Sequence, residues 1–96
     1  MNYKLSKLAK EDFISIARYS VKNWGKAAAK RYMTSLDDCF AQLGENPQLG
    51  KSRNAIKSGY FSFNVGSHVV FYKLDNNNHI IIIRILHQRM DFTRHL

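Results

Sequence analysis

Proline and cysteine each occur once in this sequence, glycine five times, and acidic side chains seven times against fifteen lysines and arginines. Each scarcity closes off a class of protein. The single Cys39 cannot form an internal disulfide, and it falls in a helical apolar series, as a small core residue of a reducing compartment does. So few glycines and prolines leave no low-complexity segment, linker or internal repeat. No apolar run approaches the roughly 18 residues that a membrane span requires, and the N-terminus lacks the apolar core of a signal peptide. The expectation is a soluble, cytoplasmic protein with no membrane partner. The shortage of carboxylates leaves a net charge of +8. Residues 1 to 50 carry eight basic and five acidic side chains, residues 51 to 96 seven and two, so the second half is the more positive. An acidic partner is favoured, although charge alone does not name it.

What is present organises into one domain over residues 1–96, a length that supports one core and not two. Tyr3 to Leu5 reads as a short strand, and Ser6 is placed to cap the helix after it. Phe13, Ile16, Ala17, Ser20, Val21 and Trp24 recur at spacings of three and four and predict a helix from about Lys7 to Asn23, with Lys10, Asp12, Arg18 and Lys22 left to water. Gly25 interrupts it. A second stripe, Ala28, Tyr32, Leu36, Cys39, Phe40 and Leu43, predicts a partner helix that stops at Gly44, with Asn46-Pro47 beyond. After Gly50 the period becomes two. Phe61, Phe63 and Val65 alternate with polar residues, Gly66-Ser67 turns the chain into His68 to Leu74, and the turn Asp75 to Asn78 leads into His79 to His87. The expected fold is two-layer α+β: N-terminal strand, helix hairpin, then a three-stranded antiparallel meander, in a mainly antiparallel four-stranded sheet. In the last strand, parity puts Ile81, Ile83, Ile85 and His87 on one face and Ile80, Ile82, Arg84 and Leu86 on the other.

Residue chemistry narrows the function further. Gly59 and Gly66 stand singly as turn residues and suit no phosphate loop, and the histidines at 68, 79, 87 and 95 have no zinc spacing, so neither cofactor nor metal is expected. The Asp37-Asp38 pair lies on the polar side of the second helix and reads as solvated. What is left is the cluster Arg84, His87, Arg89, Met90 and Asp91 at the end of the most apolar strand. Polar groups there must be satisfied or used. Arg84 fits three situations: reaching along the sheet to solvent, paired internally with Asp91, or contacting a partner. His87 could bond a carbonyl; as a catalytic base it would need a groove and a second proton-transfer group.

The residues Gly59-Tyr60, Gly66-Ser67-His68-Val69-Val70-Phe71-Tyr72 and Arg84-Ile85-Leu86-His87-Gln88-Arg89-Met90-Asp91 resemble the ParE toxins of the RelE/ParE toxin–antitoxin superfamily. Trp24-Gly25, Asn46-Pro47 and Leu49-Gly50 match the same family's hairpin break and post-helix turn, so the likeness covers nearly the whole chain. It implies a toxin that inhibits DNA gyrase by binding, at its A subunit, without an enzymatic reaction, and that a cognate ParD-type antitoxin neutralises. Resemblance and polarity together put the gyrase contact at Arg84, His87, Arg89, Met90 and Phe92. The antitoxin contact falls at Tyr19, Trp24, Tyr32, Phe61 and Phe71.

The alternative that the resemblance carries is a RelE-like ribosome-dependent messenger ribonuclease, with His87 near a catalytic position. Against it, Phe61, Phe63 and Val69 occupy sheet positions where such nucleases place cations that stabilise developing phosphate charge. Many ParE members also carry Arg where this chain has Phe61, a departure that bears on toxicity. Direct nucleic-acid binding is the least favoured reading, because the basic residues form no contiguous stripe in the sequence.

Overall fold

The structure is a computed structural model and describes residues 3–96. Strand β1 (Tyr3–Leu5) leads into helices α1 (Lys7–Trp24) and α2 (Lys26–Glu45), a 3-10 turn (Pro47–Leu49), strands β2 (Lys51–Ser52), β3 (Phe61–Val65), β4 (His68–Leu74) and β5 (Ile80–His87), and a short helix α3 (Phe92–His95). The sheet order is β1-β5-β4-β3-β2, parallel between β1 and β5 and antiparallel elsewhere. The α+β architecture read from the sequence is therefore present. The sheet has five strands and not four, since β2 is two residues long and too short to display a period.

Local chemistry sets the helix ends. Ser6 caps α1, its Oγ accepting from the Ala9 amide at 3.0 Å. Gly25, at φ 87°, provides the left-handed residue that ends α1 and opens α2 without a clash. The second helix does not stop at Gly44 as expected. It runs on to Glu45 and ends at Asn46, whose backbone at φ −139° and ψ 82° has left the helical region that the following proline disfavours. The fourth segment begins at Ile80, one residue later than read, because the carbonyl of His79 closes the turn by accepting from the Asp75 amide at 2.8 Å.

Both helices lie on one face of the sheet. There Ile16, Leu36, Cys39, Phe40 and Leu43 pack against Val70, Tyr72, Ile80, Ile82 and Ile85. Burial pushes the Cys39 thiol up to about 11, which keeps it protonated and inert. Expected strand parity fails in β5. Its register against β4 shifts between Phe71, opposite Arg84, and Tyr72, opposite Ile82, so Ile83 is an extra residue. A bulge of this kind turns every following side chain over. Ile80, Ile82 and Ile85 consequently share the helix side, while Arg84 and Leu86 go to the outer one.

The outer face is covered at one end by the chain's own tail. Phe92 and Leu96 pack on Val69, Phe71 and Leu86, with the Phe71 and Phe92 rings 4.9 Å apart. The sequence gives α3 no periodicity to detect, since it spans one turn. Of the residues assigned to the first stripe, Val21 and Trp24 are exposed and Ile16 and Ser20 are buried, since Val21 stands about 100° around the helix from Ser20 and off the face turned to the sheet.

Tyr72 ties the post-helix turn to the sheet. Its hydroxyl donates to the Pro47 carbonyl at 2.7 Å and accepts from the Gly50 amide at 2.9 Å, and a β-carbon at Gly50 would run into this ring. Tyr72→Phe strands both backbone groups, so urea denaturation should show a loss of about 1–3 kcal/mol. An unchanged midpoint would mean that water replaces the hydroxyl.

Candidate functional site

The edge of β5 positions the residues singled out at its end. β1 pairs only as far as Ile82, which leaves the rest of that edge open. Ser6 covers the next stretch: its amide donates to the Ile82 carbonyl at 2.9 Å and its hydroxyl to the Ile83 carbonyl at 2.7 Å. Asp12 then closes the edge. One carboxylate oxygen accepts from the Ile85 amide at 3.0 Å and from Arg84 Nε at 2.8 Å, and the other accepts from Arg84 Nη2 at 2.9 Å. Arg84 Nη1 donates to the His95 carbonyl at 3.2 Å, which ties α3 down.

Arg84 is therefore held internally, by Asp12 and not by Asp91, and it is not a free cation for a partner. Its side chain is 16% exposed and that of Asp12 15%. The hydrogen bonds and charge of Asp12 raise the guanidinium's pKa against the opposing effect of burial. Asp12, read as a solvent-facing residue of α1, is the functional partner that the sequence reading missed. Its distance of 72 residues from Arg84 left no local signal. Asp91 instead caps α3, accepting from the Thr93 amide at 3.2 Å.

His87, half-buried, meets a residue that the sequence listed only as one of four scattered histidines. Its ring and that of His68 lie 5.5 Å apart, edge to face, as the pairing of β4 and β5 requires. The Tyr32 hydroxyl donates to the Val65 carbonyl at 3.1 Å and lies 2.6 Å from His68 Nδ1. His87 Nδ1 accepts from the Arg89 amide at 3.2 Å. Both rings line a groove of about 460 Å³ with Ser15, Ile16, Tyr19, Trp24 and Ser67. The groove and the second titratable group that a catalytic His87 would need are thus present. No acid lies among the lining residues, and among the described residues no three His, Cys, Asp or Glu side chains converge where a metal ion could sit.

The remaining assigned residues divide sharply. Arg89 is exposed and Met90 is 39% exposed, while Phe92 is half-buried against Phe71. Tyr19 and Trp24 stand 60% and 50% exposed, edge to face at 6.0 Å. Tyr32 is a pin between α2 and the β3–β4 turn: its ring fills the place where a β-carbon on Gly66 would go. Phe71 is fully buried beneath the tail and cannot touch a partner while Phe92 covers it. Phe61 stacks on Tyr72 at 5.6 Å and faces the helix-side core, as Phe63 does. The apolar character of those two phenylalanines reflects that core and says nothing of the charge on the outer face.

Comparison with known proteins follows from this geometry. The family model described as the ParE toxin of the type II toxin–antitoxin system parDE matches residues 3–92. Similar proteins include Toxin ParE1 of Caulobacter vibrioides, 37% identical over 94 residues, and Toxin ParE1 of Mycobacterium tuberculosis strain H37Rv, 33% identical over 94; each alignment covers 98% of this chain and 96% of the relative. The fold is similar to that in the chromosomal ParDE system of P. aeruginosa, with a TM-score of 0.77 at 18% identity over 91% of this chain and 95% of that one. It is also similar to a chain of the RelBE2 toxin–antitoxin complex of Mycobacterium tuberculosis, at 0.55 and 20% over 88% and 94%.

Asp12→Ala leaves a part-buried guanidinium and the Ile85 amide without their acceptor, so chemical denaturation should show a loss of about 3 kcal/mol. Asp12→Asn keeps a side-chain acceptor and should lose less; equal losses would assign the cost to the charge alone. A second expectation concerns pH. Burial, then the neighbouring His87, lower the pKa of His68, with Asp12 opposing them. The folded protein thus resists a proton that the unfolded chain accepts near pH 6.5, and stability must fall as pH drops through that value. His68→Gln should flatten the stability difference between pH 7.5 and 5.5, whereas an unchanged slope would assign it to other groups.

Proposed function

This chain belongs to the ParE toxin family of type II toxin–antitoxin systems, and on that premise we propose that it inhibits DNA gyrase by binding its A subunit and that a cognate ParD-type antitoxin neutralises it. It works in the bacterial cytoplasm as one toxin domain, with no cofactor and no reaction of its own. The observation that supports the reading best is the segment that leaves β5. Gln88, Arg89 and Met90 are exposed, and among the described residues Arg89 has no carboxylate within ion-pair distance. An unpaired guanidinium beside an exposed thioether is a suitable anchor pair for a protein surface.

In this account His87 and Arg89 supply polar contacts and Met90 an apolar one. Phe92 contributes through its open side. Arg84 acts on the target indirectly, since its bonds to Asp12 and to the His95 carbonyl hold the segment in place. The antitoxin takes α1, beside the groove that Tyr19 and Trp24 share with His87. Tyr19 and Trp24 of α1 are 60% and 50% exposed and meet edge to face, an aromatic strip of the kind an acidic, folding-on-binding segment covers. Tyr32 supports that strip from beneath, its ring 5.8 Å from that of Trp24. Phe61, stacked on Tyr72 in the sheet, and Phe71, buried beneath the tail, lie outside this strip.

The ribonuclease alternative has one observation in its favour, the His68–His87 pair on the groove. A paired assay separates the two readings: supercoiling by purified gyrase, beside message cleavage on translating ribosomes. Gyrase inhibition without cleavage is the expected result, and cleavage without inhibition would reverse the order. Within the gyrase assay, Arg89→Ala should lower inhibition roughly tenfold, the effect of about 1.4 kcal/mol in binding, with an unchanged melting temperature. Full inhibition by that variant would remove Arg89 from the contact.

A further inference from the structure

The outer face of the sheet carries a second cationic feature that the gyrase and antitoxin surfaces leave unused. Strand register places Lys51, Ser62, Phe71 and Arg84 in one row across β2, β3, β4 and β5, with Asn64 in the next row beside Val69. Arg84 is consumed by Asp12, and the tail covers Phe71. At the other end of the row the face is open. A trough of about 340 Å³ there is lined by Leu49, Lys51, Arg53, Ser62, Phe63 and Asn64.

Arg53 is built into this trough and not merely exposed on it. Its Nε donates to Ser62 Oγ at 2.7 Å, and its guanidinium carbon lies 5.9 Å from the centre of the Phe92 ring. Its backbone is fixed as well, its amide donating a hydrogen bond to the Tyr60 carbonyl at 2.7 Å. The two terminal nitrogens have no carboxylate partner among the described residues, nor does Lys51. Ser62, having accepted from Arg53, has its own proton left to give, and Asn64 adds an amide. No acidic residue occurs between Glu45 and Asp75, so none of β2, β3 and β4 carries a carboxylate that could compete.

A fixed guanidinium fork, an ammonium, a hydroxyl and an amide, with no carboxylate within ion-pair distance of either cation among the described residues, match phosphate oxygens. The aromatic ring of the trough lining is not open to a base, since Phe63 packs into the helix-side core. Unstacked bases of a single strand would find no platform, whereas a duplex needs none. We propose that this trough seats the phosphate backbone of duplex DNA, with Arg53 and Lys51 each meeting a phosphate. Resting on the gyrase reading above, that duplex is the DNA segment the gyrase holds, so the toxin grips enzyme and DNA together.

Fluorescence anisotropy with a labelled 20-base-pair duplex, titrated across potassium chloride concentration, tests it. Each neutralised phosphate contributes about 0.9 to the slope of log affinity against log salt, so K51Q/R53Q should flatten the slope by roughly two and weaken binding about tenfold or more at low salt. K51Q alone, which leaves the Arg53–Ser62 bond intact, should take away about one. K10Q/K30Q removes the same charge from the helix layer, on the opposite face of the sheet, and should change little. The proposal is overturned if K10Q/K30Q has the same effect as K51Q/R53Q, if single-stranded RNA of equal length binds as tightly as the duplex, or if polyglutamate competes as well as DNA. A gyrase assay on the same proteins separates the two readings. Wild-type protein that inhibits gyrase while K51Q/R53Q binds the duplex normally defeats the trough alone; wild-type protein that binds the duplex through the trough without inhibiting gyrase defeats the target alone.

Discussion

One carboxylate holds the two halves of this molecule together. β5 is the most apolar strand, yet β1 covers only its first three residues, and an uncovered edge is a row of unpaired amides and carbonyls. Asp12 resolves this by accepting one edge amide and both prongs of Arg84 at once. Since Asp12 belongs to α1, Arg84 to β5 and the third acceptor, His95, to α3, the contact orients helix layer, sheet and tail against one another. The β5 bulge is its precondition: without the extra residue at Ile83, Arg84 would share the face of Ile82 and lie in the core.

The same contact decides which cations are available for function. Fifteen basic residues could each be counted toward a partner surface, but an arginine whose donors are occupied has no attraction to spend on one. Arg84 is occupied and Arg89 is open, although they lie five residues apart in one conspicuous run. Arg53 is open at its tips and fixed at its base, an arrangement that lowers the entropy lost on binding. Positive charge on this protein is thus sorted by hydrogen bonding into occupied and available groups.

Much of the fold was legible because its signals are local. The stripe through Leu36, Cys39, Phe40 and Leu43 reports α2 directly, and the alternation around Phe61 and Phe63 reports β3, since each period matches one kind of element. What escaped depends on register. The bulge at Ile83 inverts a parity count that is otherwise sound, and the two-residue β2 exists only because β3 is there to pair with it. At the site, His87, Arg89 and Met90 stood out because they close an apolar strand. Asp12, His68 and Arg53 did not, because their roles come from contacts made across the fold. Phe71 was misassigned for a related reason: a one-turn helix carries no period, so the cover it provides through Phe92 could not be foreseen.

Exchange of arginine side-chain protons with water reports, residue by residue, which guanidinium groups of this protein are occupied and which are available. In nitrogen-15 NMR spectra of the free protein, the Nε proton of Arg84 should exchange far more slowly than that of Arg89, because only the former is enclosed and bonded to a carboxylate. Equal, fast exchange at both would contradict the account, since it would put Arg84 back among the solvent-facing cations and leave the β5 edge without its closure.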